Sequence, residues 1–263
     1  GERIGEEGRG IHTIINMVQM TRLDCVVASA GLMRLGLASA VHHARHRSVF
    51  QRLLIDQPLM QAVLADMALE VEAVTTVAMR LASAFDAAGT STHDKVYARL
   101  LTPAVKYYVC KIAPTLLYEA MECHGGNGYV EDMPLARAYR EAPVNAIWEG
   151  SGNVMALDVL RAAASHLDES FELVRELSGQ CVVSISGVVE EMLELIRSDQ
   201  AQLHGRLIAE RLARIAAAAA LSVRHPEFAE HYINSRILGF SHTTLGVYPQ
   251  REIASHLLQR VQG

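Results

Sequence analysis

Residues 119–161 read EAMECHGGNGYVEDMPLARAYREAPVNAIWEGSGNVMALDVLR. Gly125-Gly126-Asn127-Gly128 predicts a tight turn in which several residues take positive φ, a conformation glycine adopts without a side-chain penalty. A short helix follows over about Pro134 to Glu141, proline being suited to a first helical turn. Gly150-Ser151-Gly152 then marks the start of another helix, from about Ser151 to Ala164. The segment therefore reads helix, turn, helix, turn, helix, and nothing in it alternates at the period of a strand.

Working outward, the same texture holds. A long helix is predicted from Gly10 to Arg47, with Ile11, Ile14, Ile15, Val18, Cys25, Leu32, Leu35 and Val41 at three- and four-residue spacing. Asp56-Gln57-Pro58 opens a second helix that runs to about Phe85. A loop over 87–92 leads into a third, from about His93 to Cys123, with Thr92 as its N-cap. Pro103 and Pro114 lie inside it and predict a kink or break, because each removes a backbone donor. Past Ser165 no lysine occurs. Helices are predicted there over 167–176, 183–198, 203–222, 226–237 and 251–261. The fold class is all-α: an up-and-down helical bundle over 1–164, followed by a smaller helical extension over 165–263.

Half of the 263 residues are apolar, enough for a sizeable core. The net charge of −5 is no electrostatic trap for nucleic acid. Cys25, Cys110, Cys123 and Cys181 lie far apart, which fits neither a zinc site nor a disulfide scaffold and suggests a reducing compartment. No apolar run approaches the ~18 residues of a membrane span. His42, His43 and His46 share a helix end without an acid or thiol to complete a metal site, so no metal is expected. Serine-hydrolase, P-loop and Rossmann motifs are absent. The polar, acidic start, GERIGEEGRG, reads as an interior loop of a larger protein rather than a signal peptide.

The residue with the most chemistry is Glu149. Its place before a helix N-terminus favours the carboxylate, and the neighbouring Trp148 disfavours it, a balance that can tune a general base. On the residues alone, an acid that merely complements the helix dipole is the simpler reading.

The pairing of GGNGY at Gly125–Tyr129 with IWEGSGN at Ile147–Asn153 resembles the C-terminal helical domain of the acyl-CoA dehydrogenases. The likeness covers about residues 1–164 and includes Arg22 in the first helix and an R-x-x-F corner at Arg47–Phe50. The run R-E-x-P-V-N-x-I-W-E-G-S-G-N, followed by L-D-V-L-R, is more similar still to the alkylation-response branch. The resemblance implies an FAD-dependent oxidation of an acyl-CoA thioester between its α and β carbons. Glu149 would be the base that takes the α-proton, its own backbone N–H helping to polarise the thioester carbonyl. Some members carry the base just before the arginine of the first helix. That position is Thr21 here, which leaves Glu149 as the only candidate. Arg22 would lie near base and substrate. The cofactor contacts implied are Arg47, Phe50, Gln57, Glu122, Gly125, Gly126, Ser151 and Asn153, with the arginine fork suited to a diphosphate.

Two departures accompany this. Gln51 and Leu53 stand where the family usually has glycine and proline, and Glu122 stands where it often has glutamine. The resemblance also implies N-terminal and middle domains ahead of this segment, so the chain is expected to be a C-terminal fragment, inactive alone. Expected partners are acyl-CoA, an electron-transfer flavoprotein and further copies in a dimer or tetramer. The expected location is the cytoplasm of a bacterium or a mitochondrial matrix. The competing function is a DNA-associated protective protein. Nine arginines oppose twelve acids after Ala162, which weighs against DNA, although Arg206, Arg211 and Arg214 fall on adjacent turns and could form a basic stripe.

Overall fold

A computed structural model describes residues 1–239, 244–247, 250 and 252–261, apart from the side chains of His12 and Asn16. Helix α1 spans Gly10–His46. A two-residue strand pair, β1 (Ser48–Val49) and β2 (Arg52–Leu53), and a 3₁₀ turn at Leu54–Asp56 lead into α2, Pro58–Ala87. Then come α3 (Thr92–His124), the single turn α4 (Gly126–Tyr129), α5 (Pro134–Ile147) and α6 (Gly152–Ser165). The rest comprises α7 (Leu167–Gln180), α8 (Ser186–Arg197), α9 (Gly205–Arg224), α10 (Pro226–Arg236) and α11 (Ala254–Arg260). The helix expected to begin at Arg251 starts at Ala254, and Arg251 itself lies outside the described residues.

Helix α3 is the hub. It packs against α1, α2, α5, α6, α7 and α9. Leu100 through Cys110 are all buried, so neighbours surround the helix on every side. That environment explains why the expected break at its prolines does not occur: α3 runs unbroken through Pro103 and Pro114. Losing a backbone bond at a proline costs roughly 3 kcal/mol, less than unpacking a helix buried all round. Its N-cap is Ser91 rather than Thr92, because the Ser91 hydroxyl reaches the Asp94 N–H at 3.1 Å.

Helix α9 lies against α2, α3, α6, α7 and α10. Four consecutive alanines, Ala216 to Ala219, are buried in it, so small side chains admit neighbours on several faces. A buried ion network also ties α10 to the bundle. Arg236 reaches Asp66 at 2.6 Å and Glu70 at 2.8 Å, and Tyr108 donates to Glu70 at 2.7 Å.

One expectation about membranes is corrected. By length and composition, α1 is apolar enough over Thr13–His46 to cross a bilayer, with mean hydropathy 1.4 in its best window. Half of that window is buried against the other helices, and Arg34 interrupts its apolar run, which is why no unbroken stretch revealed it.

Candidate functional site

Among the described residues, three non-glycine positions have positive φ: Phe50, Gln51 and Glu149. Left-handed backbone costs a side-chain-bearing residue ~1–2 kcal/mol, so such positions point to function or to strong local restraint. All three fall in the two motifs singled out from sequence.

The first motif joins α5 to α6. Glu149 has φ 57° and Gly150 φ 106°. A side chain at Gly150 would be strained and would place Cβ 2.6 Å from the Met155 methyl. Two buried cations grip this turn from inside. The Lys106 ammonium donates to the carbonyls of Trp148 and Gly150, both at 2.8 Å, and Arg22 Nε donates to the carbonyl of Glu149 at 3.0 Å. Arg22 also pairs with Asp158 at 2.6 Å, and Arg99 reaches the same carboxylate at 2.9 Å. Burial works to raise the Asp158 pKa, but the bonds and charges of Arg99 and Arg22 outweigh it and hold the carboxyl below its ordinary value. Burial likewise pushes the Lys106 pKa down.

Outside this clamp lies a small cavity of about 240 Å³, lined by Thr21, Asp24, Cys25, Ala28, Asn145, Trp148 and Glu149. Thr21 and Glu149 thus face one space, although 128 positions separate them in the chain. The Thr21 hydroxyl donates back to the Val18 carbonyl at 3.1 Å. Asp24 puts a second carboxylate on the cavity, at neither of the two base positions weighed from the resemblance. The Glu149 N–H finds no acceptor among the described residues. This turn offers a carboxylate beside an unspent backbone donor, the pair needed to remove a proton next to a carbonyl.

The second motif is the corner after α1. Ser48 pairs with Leu53 and Val49 with Arg52, so Phe50 and Gln51 form a two-residue hairpin turn at φ 52° and 63°. Gln51 therefore adopts the backbone that glycine would take most easily. Phe50 is 93% exposed. Gln57 braces the hairpin by donating to the Val49 carbonyl at 3.3 Å. Arg47 is exposed, and no partner holds its side chain among the described residues.

Behind this corner is a cavity of about 560 Å³ that brings together Arg47, Glu122, Gly125 and Gly126 with His43 and His124. Only Gly125 of the glycine turn has positive φ (59°), fewer residues than expected, because Gly126–Tyr129 winds into the helical turn α4. Added side chains at Gly125 or Gly126 would meet nothing within 4 Å, so a ligand can approach the backbone there. Gly128 is required for a different reason: a Cβ would sit 2.2 Å from the Met121 carbonyl oxygen. His43 stacks on His124 with ring centroids 4.6 Å apart, and burial first, then the charges of His124, Arg47 and His42, lower its pKa. Burial pushes the Cys123 thiol up to about 12, aided by Glu119 and Glu122. The cavity suits an anionic group held by Arg47 and backbone, with Glu122 the one acid on its lining among the described residues.

The remaining expected contacts lie elsewhere. Ser151 caps α6 beside the Glu149 turn, without a side-chain cap bond. The Asn153 amide oxygen accepts from Arg206 of α9 at 2.8 Å. That bond occupies one arginine of the supposed basic stripe. Arg211 pairs with Glu191 at 3.5 Å, and Arg214 turns inward to Glu210, the ring of Tyr108 and the Arg236 carbonyl. Sequence reasoning missed Lys106, Arg99, Asp158 and Asp24. The signal for Lys106 was available: it is a lone charge in the run TPAVKYYVC, and one of three lysines in the chain. Among the described residues, no group of three metal-ligating side chains is assembled.

The glycine turn and the E-G-S turn of this all-α bundle each border a cavity. Residues 8–164 match the C-terminal domain of acyl-CoA dehydrogenases, and the chain belongs to that family. It is 43% identical over 214 residues to AidB of Escherichia coli, spanning 81% of this chain and 38% of that protein. It is 39% identical over 163 residues to acyl-CoA dehydrogenase family member 11 of Caenorhabditis elegans, 61% of this chain and 26% of that one. The crystal structure of C. elegans ACDH-11 in complex with C11-CoA superposes with a TM-score of 0.79 at 29% identity, covering 97% of this chain and 49% of that chain. The chain thus spans about a quarter to a half of the length of these relatives.

Proposed function

We propose that this chain forms one wall of the active site of a flavin-dependent acyl-CoA dehydrogenase. Glu149 takes the α-proton of a bound thioester, and its N–H donates to the thioester carbonyl as that oxygen gains negative charge. FAD, when bound, supplies the hydride acceptor for the β carbon. Arg22 acts on the carbonyl of Glu149 and so on the base itself. Arg47, Gly125 and Gly126 would hold the cofactor diphosphate, with Phe50, Gln57, Glu122, Ser151 and Asn153 placed around the cofactor. Residues 1–164 carry this chemistry, and 165–263 form an extension that buttresses it through α9. An electron-transfer flavoprotein as electron acceptor and a homo-oligomer belong to the same proposal.

The observation that carries the reading is the left-handed Glu149, gripped from within and facing a cavity with a free N–H. A relative bound to C11-CoA supports an acyl-CoA ligand. Arg206, Arg211 and Arg214 of α9 each have a partner within the chain, which weakens the DNA-associated alternative. The test is an anaerobic visible spectrum of the protein expressed from its whole gene, titrated with short, branched and long acyl-CoAs. Flavin bleaching by one of them, lost in Glu149→Gln, is expected. Bound flavin that none of them bleaches would refute a dehydrogenase.

A further inference from the structure

Lys106 is 1% exposed, on a chain whose other basic residues are almost all arginine. Burying an ammonium is costly unless its donors are used, and here two of them meet carbonyls at 2.8 Å. Those carbonyls lie on either side of the carbonyl of Glu149. A planar trans peptide points its C=O and N–H in opposite directions, and no cis bond occurs among the described residues. Drawing the Trp148 carbonyl inward onto Lys106 therefore turns the Glu149 N–H outward. Drawing the Gly150 carbonyl inward fixes the Gly150–Ser151 peptide, one unit beyond Glu149's own carbonyl. Arg22 takes the carbonyl between them, so three successive carbonyls face the bundle. A compact ammonium with rotatable donors can bridge two such oxygens, whereas the planar fork of arginine is shaped for a carboxylate.

We propose that Lys106 is a positioning residue that aims the Glu149 N–H and carboxylate at the thioester. The inference rests on the reading of Glu149 as the base. It differs from a role in binding, because Lys106 lines none of the cavity that Glu149 faces. Its effect belongs to the chemical step, in which the donor must meet the developing oxyanion.

The experiment uses the full-length protein and the acyl-CoA that bleaches its flavin. Two rates are measured for Lys106→Met: flavin reduction at saturating thioester, and exchange of the thioester α-hydrogen for deuterium in D₂O. Both are expected to fall about a hundredfold, with KM and flavin content unchanged. A wild-type exchange rate, or a loss that lies wholly in KM, would overturn the proposal. Should Lys106→Met fail to fold, Lys106→Gln decides, because its shorter neutral amide keeps a donor but cannot bridge both carbonyls. A drop of at least about tenfold in its α-hydrogen exchange is expected on the same ground, and wild-type exchange overturns the inference. Glu149→Gln separates the two readings. If it keeps full exchange, the base assignment fails; if it is inactive while both Lys106 variants exchange normally, only the positioning role fails.

Discussion

The Glu149 turn and the Arg47–Leu53 corner both carry non-glycine residues in left-handed backbone, yet they are restrained in opposite ways. The Glu149 turn is gripped from inside by Lys106 and Arg22, and these are backed by Asp158 and Arg99. The corner has, among the described residues, its two-strand pairing, the Gln57 brace, a bond from the Leu54 N–H to the Arg47 carbonyl and one from the Arg47 N–H to the His43 carbonyl. Phe50 projects into solvent, and the Arg47 side chain holds no partner among the described residues. On the proposed function, the group that acts at a fixed point is preorganised by buried charge, and the group that would meet the cofactor sits on a short, self-supporting hairpin. The strain is similar, but the energy that sustains it comes from tertiary structure in one case and from local backbone pairing in the other.

The largest expected effect tests the gripped turn. Glu149→Gln in the full-length protein should lower turnover on the order of 10³-fold while flavin stays bound. Asp24→Asn, on the same cavity, is the control; a larger loss there would transfer the base assignment to Asp24. Next comes the grip itself. Asp158→Ala leaves Arg22 buried without its counter-charge and should cost about 3–5 kcal/mol by denaturant unfolding. A loss under ~1 kcal/mol would mean that the buried cluster contributes no more than a surface pair does. The stabilisation from Asp158 also has a sign in pH. Its carboxyl sits lower in the folded chain than in the unfolded one, so the contribution is present above the ordinary aspartate range and disappears as pH falls through the folded value.

The corner should respond the other way. Arg47→Ala should weaken flavin binding by about tenfold or more, as expected for a charge-assisted bond worth ~1.5–3 kcal/mol, and leave the melting of the flavin-free protein unchanged. Destabilised apoprotein would show that Arg47 serves the fold instead. Gln51→Gly should raise stability by up to about 1 kcal/mol, since glycine relieves the positive φ. A fall would assign the turn to some contact of the Gln51 side chain.

The smallest effect is at His43. The unfolded chain takes up a proton on this side chain at higher pH than the folded chain does, so stability should decline as pH drops through the ordinary histidine range. In His43→Gln that slope should flatten, read as melting temperature between about pH 7 and pH 5; an identical slope would put the titration on another group.

Much of the fold was legible because it rests on local signals. Apolar residues at helical spacing gave α1 and α2, and proline and glycine punctuation gave the starts of α2, α5 and α10. Legibility failed where neighbours decide. Pro103 and Pro114 read as breaks, and burial on all sides carries α3 through them. Thr92 read as a cap, and Ser91 takes the bond. The β1–β2 hairpin is too short to produce a period.

For the site, the family resemblance carried by Gly125–Tyr129 and Ile147–Asn153 put forward Glu149, Arg22, Arg47 and the glycines as candidates. Sequence could not pair Lys106 with Trp148 and Gly150, or Asp158 with Arg22 136 positions away, because a buried charge is recognised by what it meets across helices. Sequence by itself determined the helices, their order and the polar residues at their ends, all set by spacing along one chain. Tertiary structure alone decided which carbonyls the cations hold, since that depends on helices α1, α3 and α6 converging on one turn.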